Sequence, residues 1–544
     1  MGCLSYYAEY DPFLRAQERI VLYLRIGGNM LQIKNLTLTH KKDLRIILND
    51  FNLVLNDGDK AALIGEEGNG KSTLIKWIYE PALVDDYIEY SGSRSFGGER
   101  LAYLPQELAE RDKQKSVYEY FSESESFFDA SPKELAGLSK DFHVGVDFAY
   151  GDQLMGSLSG GEKIKAQLMR LILTEPTVLL LDEPSNDIDI ETLEWLEDFI
   201  NGWKHIVLFI SHDETLIENT ANMIVHLEQI RRKTISRFTV ARLPYRQYID
   251  ELLNSFRHQR QQAISDLREK RIRDEKFRRI SQSVESAQNS VSRGDPSTGR
   301  LLKKKMHTVR AMSRRFERED ENMTQMPETE YPIFFRLGTA STEVPAGKTV
   351  IEYDLPILYT PDGRRELAHS IHIRVKGAEK VCIIGANGAG KTTLIKRIAQ
   401  ELLARHDICV EYMPQNYEEL LDFSMTPVEF LAKNGDKDEL TMIRTYLGSL
   451  KYTVDEMEHP ISELSGGQRA KVLLLKMNLS RANVLILDEP TRNFSPLSGP
   501  MIRKVIRDFP GAVISISHDR KYISEVCDKV YRLTASGLEE VDLP

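Results

Sequence analysis

One ordered series of motifs occurs twice in these 544 residues, so the chain must fold as two like domains rather than around a single core. In the first copy an apolar strand, Ala61 to Ile64, runs into Gly65, Glu66, Glu67, Gly68, Asn69, Gly70, Lys71, Ser72 and Thr73. In the second, Val381 to Ile384 runs into Gly385, Ala386, Asn387, Gly388, Ala389, Gly390, Lys391, Thr392 and Thr393. Each is a P-loop between a predicted strand and a predicted helix, the context that gives the pattern its meaning. Backbone N–H groups of such a loop turn inward around a β-phosphate, at a helix N-terminus whose dipole also favours an anion. Lys71 and Lys391 would neutralise β/γ oxygens, and Ser72 and Thr392 would offer a hydroxyl to Mg²⁺. ATP and Mg²⁺ are therefore the expected ligands.

A second apolar strand in each copy ends in two acids: Val178 to Asp182 with Glu183, and Val484 to Asp488 with Glu489. The aspartate at the strand end is expected to face the Mg²⁺ shell. The neighbouring glutamate can orient the attacking water or accept its proton. A third strand ends in Ser-His-Asp and puts His212 and His518 beside the same crevice as γ-phosphate sensors. Three strands with polar C-terminal ends describe an α/β fold with the ligand at the carboxyl edge of the sheet.

Composition restricts the setting. The longest apolar runs fall far short of a bilayer span, so no membrane crossing is expected. Cys3, Cys382, Cys409 and Cys527 are scattered without metal-ligand spacing, which reads as free thiols in a reducing, cytoplasmic compartment. Residues 1–29 carry neither a secretory signal nor a complete myristoylation pattern, since Tyr6 stands where Ser or Thr is required. They are read as an extension without assigned function, either poorly ordered or an upstream-start artefact.

The residues Leu158-Ser-Gly-Gly-Glu162 and Leu464-Ser-Gly-Gly-Gln468 resemble the signature of ABC ATPases, and Gln106 and Gln415 resemble its Q-loop, which reaches the metal and the attacking water. The resemblance covers about 31–244 and 331–544, and places domain boundaries at 30–243, 244–326 and 327–544. It implies a monomer with a head-to-tail sandwich: Ser159, Gly160 and Gly161 would close on the ATP held by Lys391, and Ser465, Gly466 and Gly467 on that held by Lys71. Two departures stand out. Ser495 occupies the place that Asp189 holds in the first copy, so unequal hydrolysis at the two sites is expected. For the adenine, Tyr359 is as compatible with stacking as with strand-edge packing, and the first copy offers only His40.

Between the copies the charge changes sign. From Arg242 to Arg318 there are 20 Lys or Arg and 9 Asp or Glu, a surplus of about +11 in a chain of net −10. Tyr245 to Ile280 and Leu301 to Glu321 read as helices, around a tip at Ser283 to Gly299 that contains Gly294, Pro296 and Gly299. A charge run is usually a solvated helix face. Here a one-signed excess on a helical hairpin, against an acidic remainder, points to a phosphate backbone.

Two cassettes on one chain, joined by a basic helical linker, resemble the ABC-F family, which acts on ribosomes. The spacing from Gln106 to Leu158 leaves no room for the arm of housekeeping members. With the run Thr491 to Ser498, this looks like the antibiotic-resistance subgroup (Vga- and Lsa-like). The resemblance implies entry into the ribosomal exit site, contact with rRNA and the P-site tRNA, and displacement of drugs from the peptidyl transferase centre. It implies no DNA partner. The alternatives are a housekeeping ABC-F translation factor and the fused ATPase of an importer. A recycling ATPase with iron–sulfur clusters is excluded, because only Cys3 precedes the first cassette.

Overall fold

The computed structural model describes residues 30–230, 234–290, 296–321, 323, 324, 326, 337, 338 and 342–542. The readings placed on residues 1–29 and on Gly294 at the linker tip lie outside them. The chain divides into two compact units, residues 1–244 with 330–544, and residues 245–329.

The first unit holds both cassettes, each built on a six-stranded sheet. In the first cassette the order is Leu101–Leu104, Val178–Asp182, Ile206–Ile210, Lys60–Ile64, Met223–Gln229 and Ile235–Ala241, parallel except for the last strand. The second repeats it with Val410–Met413, Val484–Asp488, Ala512–Ile516, Lys380–Ile384, Lys529–Thr534 and Gly537–Val541. Strands such as Val178–Asp182 are buried at every position, which is why they read as continuous apolar runs without alternation. A smaller antiparallel sheet packs over each P-loop helix. Leu31, Phe51, Ile75 and Leu208 share one such core, and Ile371, Ile395, Ile486 and Ile514 its counterpart.

The residues between Gln106 and Leu158 form short helices, the longest being Pro132–Asp141, around buried Val117, Phe121, Phe127 and Leu135. The first cassette thus has no extended arm in this stretch.

The second unit is a pair of helices, Tyr245–Ser290 and Pro296–Glu321. Arg273 pairs with Glu319 at 3.1 Å and with Asp320, Phe277 meets the edge of Phe316, and the Thr324 N–H donates to Asp266 at 3.0 Å. Partners advance on one helix as they retreat on the other, so the pair is antiparallel. Both helices extend past the expected limits into the stretch read as a tip. Ser281 to Ser290 contains no Gly or Pro, and Pro296 takes a first-turn position, where its missing N–H is no loss. Lys303, Lys304, Lys305, Arg310, Arg314 and Arg315 are all exposed. Among the described residues no helix is long and apolar enough to cross a membrane.

Candidate functional site

Each P-loop is held by its own backbone. Lys71 Nζ donates to the Gly65 and Glu66 carbonyls at 2.8 and 3.1 Å, and Lys391 Nζ to those of Gly385 and Ala386 at 2.7 and 3.0 Å. Gly70 and Gly390 precede their helices at φ 85° and 99°. A Cβ on Gly70 would also lie 2.2 Å from Ile47 Cγ2, so only glycine lets the loop turn there. The helices Lys71–Tyr79 and Lys391–Leu403 then direct their first N–H groups at the loop.

The strand ends deliver the carboxylates where the sequence places them. Ser72 Oγ donates to Asp182 Oδ1 at 2.9 Å, and Thr392 hydrogen-bonds to Asp488. Burial lifts both aspartates to about 6, with the hydroxyl bonds opposing. Glu183 and Glu489 both take left-handed backbone, φ 53° and 54°, and their N–H groups donate to the Ile210 and Ile516 carbonyls. Non-glycine residues in that region are strained, a cost that is concentrated at functional sites.

The histidines differ. His212 Nδ1 donates to the Phe494 carbonyl of the other cassette at 2.8 Å, while Nε2 lies 3.0 Å from Glu183 Oε1. Burial opposes a charge on this ring, yet Glu183 outweighs it and raises the His212 pKa. His518 Nε2 is 3.7 Å from Glu489 Oε1. Burial and the Lys391 charge take His518 down to about 4, and burial with the Asp488 charge pushes Glu489 up to about 8.

The two cassettes face each other head to tail. A cavity of about 800 Å³ is lined by Ser159 and Gly160 of the first and by Lys391, Thr392, Gln415 and Glu489 of the second. Ser159 and Ser465 cap the signature helices through reciprocal bonds with Glu162 and Gln468, which explains the Ser-Gly-Gly-Glu/Gln spelling locally. Across the interface, Asn387 Nδ2 donates to the Asp187 carbonyl at 2.6 Å, and the Gly467 N–H donates to Glu67 Oε2 at 2.9 Å. Gln106 is exposed just beyond strand Leu101–Leu104. Tyr359 donates its hydroxyl to Glu366 at 3.3 Å, next to Thr360, which lines the cavity, and His40 is paired with Asp43 at 2.8 Å.

Several contacts were absent from the sequence reading. Arg503 meets Glu214 at 2.8 Å with both side chains buried, Lys521 meets Glu214 at 3.1 Å, and Arg520 pairs with Glu197. The first cassette supplies only acids to these pairs and the second only bases. The one sequence signal for such traffic was the pair of acids, Glu66 and Glu67, inside a loop suited to anions.

The donor set fits a hard cation. Asp488 Oδ2 and Glu183 Oε2 are buried without a hydrogen-bond partner among the described residues. Each site pairs one hydroxyl with one carboxylate, and no group of three or more His, Cys, Asp or Glu placed to hold a metal ion by itself occurs among those residues. That is a set for Mg²⁺, which takes few protein ligands and completes its shell with phosphate and water.

A model of the ABC transporter family matches residues 48–186 and 368–492, once in each half. The chain is similar to the "ABC transporter F family member 5" of Arabidopsis thaliana, 25% identical over 91% of this chain and 74% of that protein. It is also similar to the "Ribosome protection protein VmlR" of Bacillus subtilis (strain 168), 27% identical over 91% of this chain and 85% of that protein. Among solved structures, an archaeal ribosome recycling factor in complex with a stalk protein matches with a TM-score of 0.55 at 17% identity. That match covers 93% of this chain and 90% of the other and speaks for the tandem fold alone.

Proposed function

Because the chain carries two ABC-type ATPase domains in tandem and has relatives in the ABC-F family, we propose that it is a cytoplasmic, ribosome-binding ABC-F protein of the ribosome-protection kind. ATP closes the cassettes, the linker enters the exit site beside the P-site tRNA, and drug bound at the peptidyl transferase centre is displaced. The observation that carries this reading is the linker: a helical pair with a surplus of about +11, set in a chain whose remainder carries about −21. Lys and Arg that neutralise phosphates release counterions, and Lys303, Lys304, Lys305, Arg310, Arg314 and Arg315 are exposed for that purpose. The lack of an arm in the first cassette supports protection over a housekeeping role.

In this reading Ser72 with Asp182, and Thr392 with Asp488, hold Mg²⁺ together with Gln106 and Gln415. When bound, the ion neutralises charge on the β- and γ-phosphates. Lys71 and Lys391 bind the same oxygens, Glu183 and Glu489 orient water, and His212 and His518 sense the γ-phosphate, His212 within 3.0 Å of its glutamate. Ser465 to Gly467 and Ser159 to Gly161 contribute helix N-termini from the opposite cassette, so closure depends on the γ-phosphate. Hydrolysis removes that anchor and reopens the sandwich.

The test is drug susceptibility together with ribosome co-sedimentation. Changing Lys303, Lys304 and Lys305 to Gln should weaken ribosome binding and flatten its salt dependence by up to about one unit of log–log slope per lysine. Deleting residues 289–297 should spare binding and abolish protection. Drug susceptibility that is the same with and without the protein would move the assignment to a housekeeping translation factor, unchanged protection after the deletion would take the drug-displacing role away from the tip, and unchanged binding after the lysine changes would return the charge to a solvated helix face.

A further inference from the structure

The two interfaces use a carboxylate in matching places but take it from opposite sides. At the site of Lys391, the carboxylate is Asp189, in the loop that follows Glu183. It accepts from Thr192 N and Oγ1 at 3.0 and 2.7 Å and from the Asn387 backbone of the opposite P-loop, and it interacts electrostatically with Lys165. At the site of Lys71 the equivalent loop residue is Ser495, and the acid stands across the interface at Glu66. Ser495 and Ser498 donate to Glu66 Oε1 at 2.6 and 2.5 Å, and Lys471 lies 3.6 Å from Glu66 Oε2. Ser498 and Lys471 are the counterparts of Thr192 and Lys165 in the repeat, and Glu66 is the counterpart of Ala386. The same hydroxyl therefore bonds a carboxylate at both sites, and the same lysine is near enough to act on it, as an ion pair at Lys471 and through the field alone at Lys165. The Glu66 side chain is 18% exposed and that of Lys471 only 8%, so the contact is largely shielded from water. Lys471 and the two serines hold the Glu66 carboxyl below its usual range although burial opposes this.

We propose that Glu66 is a positioning residue of the ATPase cycle, supplying from the first P-loop the interfacial carboxylate that the second cassette lacks at Ser495. It fixes the second cassette's loop and signature helix over the Lys71 site without touching nucleotide. The inference rests on the ATPase reading and not on the ribosome.

The experiment is a relocation of the charge in the full chain, read by steady-state ATP turnover without ribosomes. Glu66→Ala should lower kcat roughly tenfold and leave KM within about twofold, because the lost contact lies between cassettes and not on ATP. Alanine suits the loop, since Ala386 holds that place in the second copy. Ser495→Asp alone should be worse, because two carboxylates would share one site. Combining them rebuilds the Ala386–Asp189 arrangement and should bring kcat back to within about threefold of the parent. Glu66→Gln, which alters charge and not size, should lose activity without loss of thermal stability. Singles with parental kcat, a double no better than the worse single, or an active Glu66→Gln would each overturn the proposal. Loss of ribosome binding with this pattern of turnover intact would instead count against the ribosome reading alone.

Discussion

The Lys71 and Lys391 sites are built from one plan and differ in how their charges are paired. At Lys71, the glutamate beside the metal position is matched by a histidine 3.0 Å away, which in turn bonds to the opposite cassette. At Lys391, the histidine stands off at 3.7 Å and burial favours the neutral forms of both partners. A duplicated domain preserves what its backbone imposes, namely the loop, the strand-end acids and the helix cap. Side chains facing the other copy are free to diverge, because each has a different neighbour.

The widest effect should come from replacing Glu183 and Glu489 together by Gln, which keeps size and the aspartates but removes the carboxylates proposed to orient water. Turnover should fall by about a hundredfold or more, while the protein accumulates on ribosomes in ATP. Co-sedimentation no greater than that of the parent would break the shared plan. Next, Arg503→Ala leaves buried Glu214 short of a partner, and the loss of about 3 kcal/mol should show as a lower unfolding midpoint. The single changes Glu183→Gln and Glu489→Gln should then retain unequal ATPase activity, by roughly threefold or more. Equal residual rates would erase the comparison. The smallest effect concerns the base: if Tyr359 stacks on adenine, Tyr359→Ala should raise KM roughly fivefold, about 1 kcal/mol. An unchanged KM would leave Tyr359 as a strand-edge residue bonded to Glu366.

What could be read from the chain alone follows from distance along it. The P-loops, the strand ends at Asp182 and Asp488 and the capped signature helices are each specified within about ten residues, where propensity, burial and capping act together. The parallel sheets followed from fully apolar runs. The helices of the linker were legible in kind but not in length, because small polar residues at Ser281 to Ser290 favour neither helix nor turn strongly. Bonds such as Glu67 to Gly467 or Glu66 to Ser498 join residues 400 and 432 positions apart, and nothing local marks them. They exist only once two folded halves meet.

The interfacial ion pairs carry one more consequence. Glu197 and Arg503 occupy equivalent places in the repeat, as do Glu214 and Arg520, and at both places the sign is reversed. Arg503 meets Glu214 and Arg520 meets Glu197, so the two contacts are images of each other under the pseudo-twofold of the sandwich. Two first halves brought face to face would set Glu197 against Glu214, and two second halves Arg503 against Arg520. These contacts therefore match a first half with a second half and set like charges together for either half against its own kind.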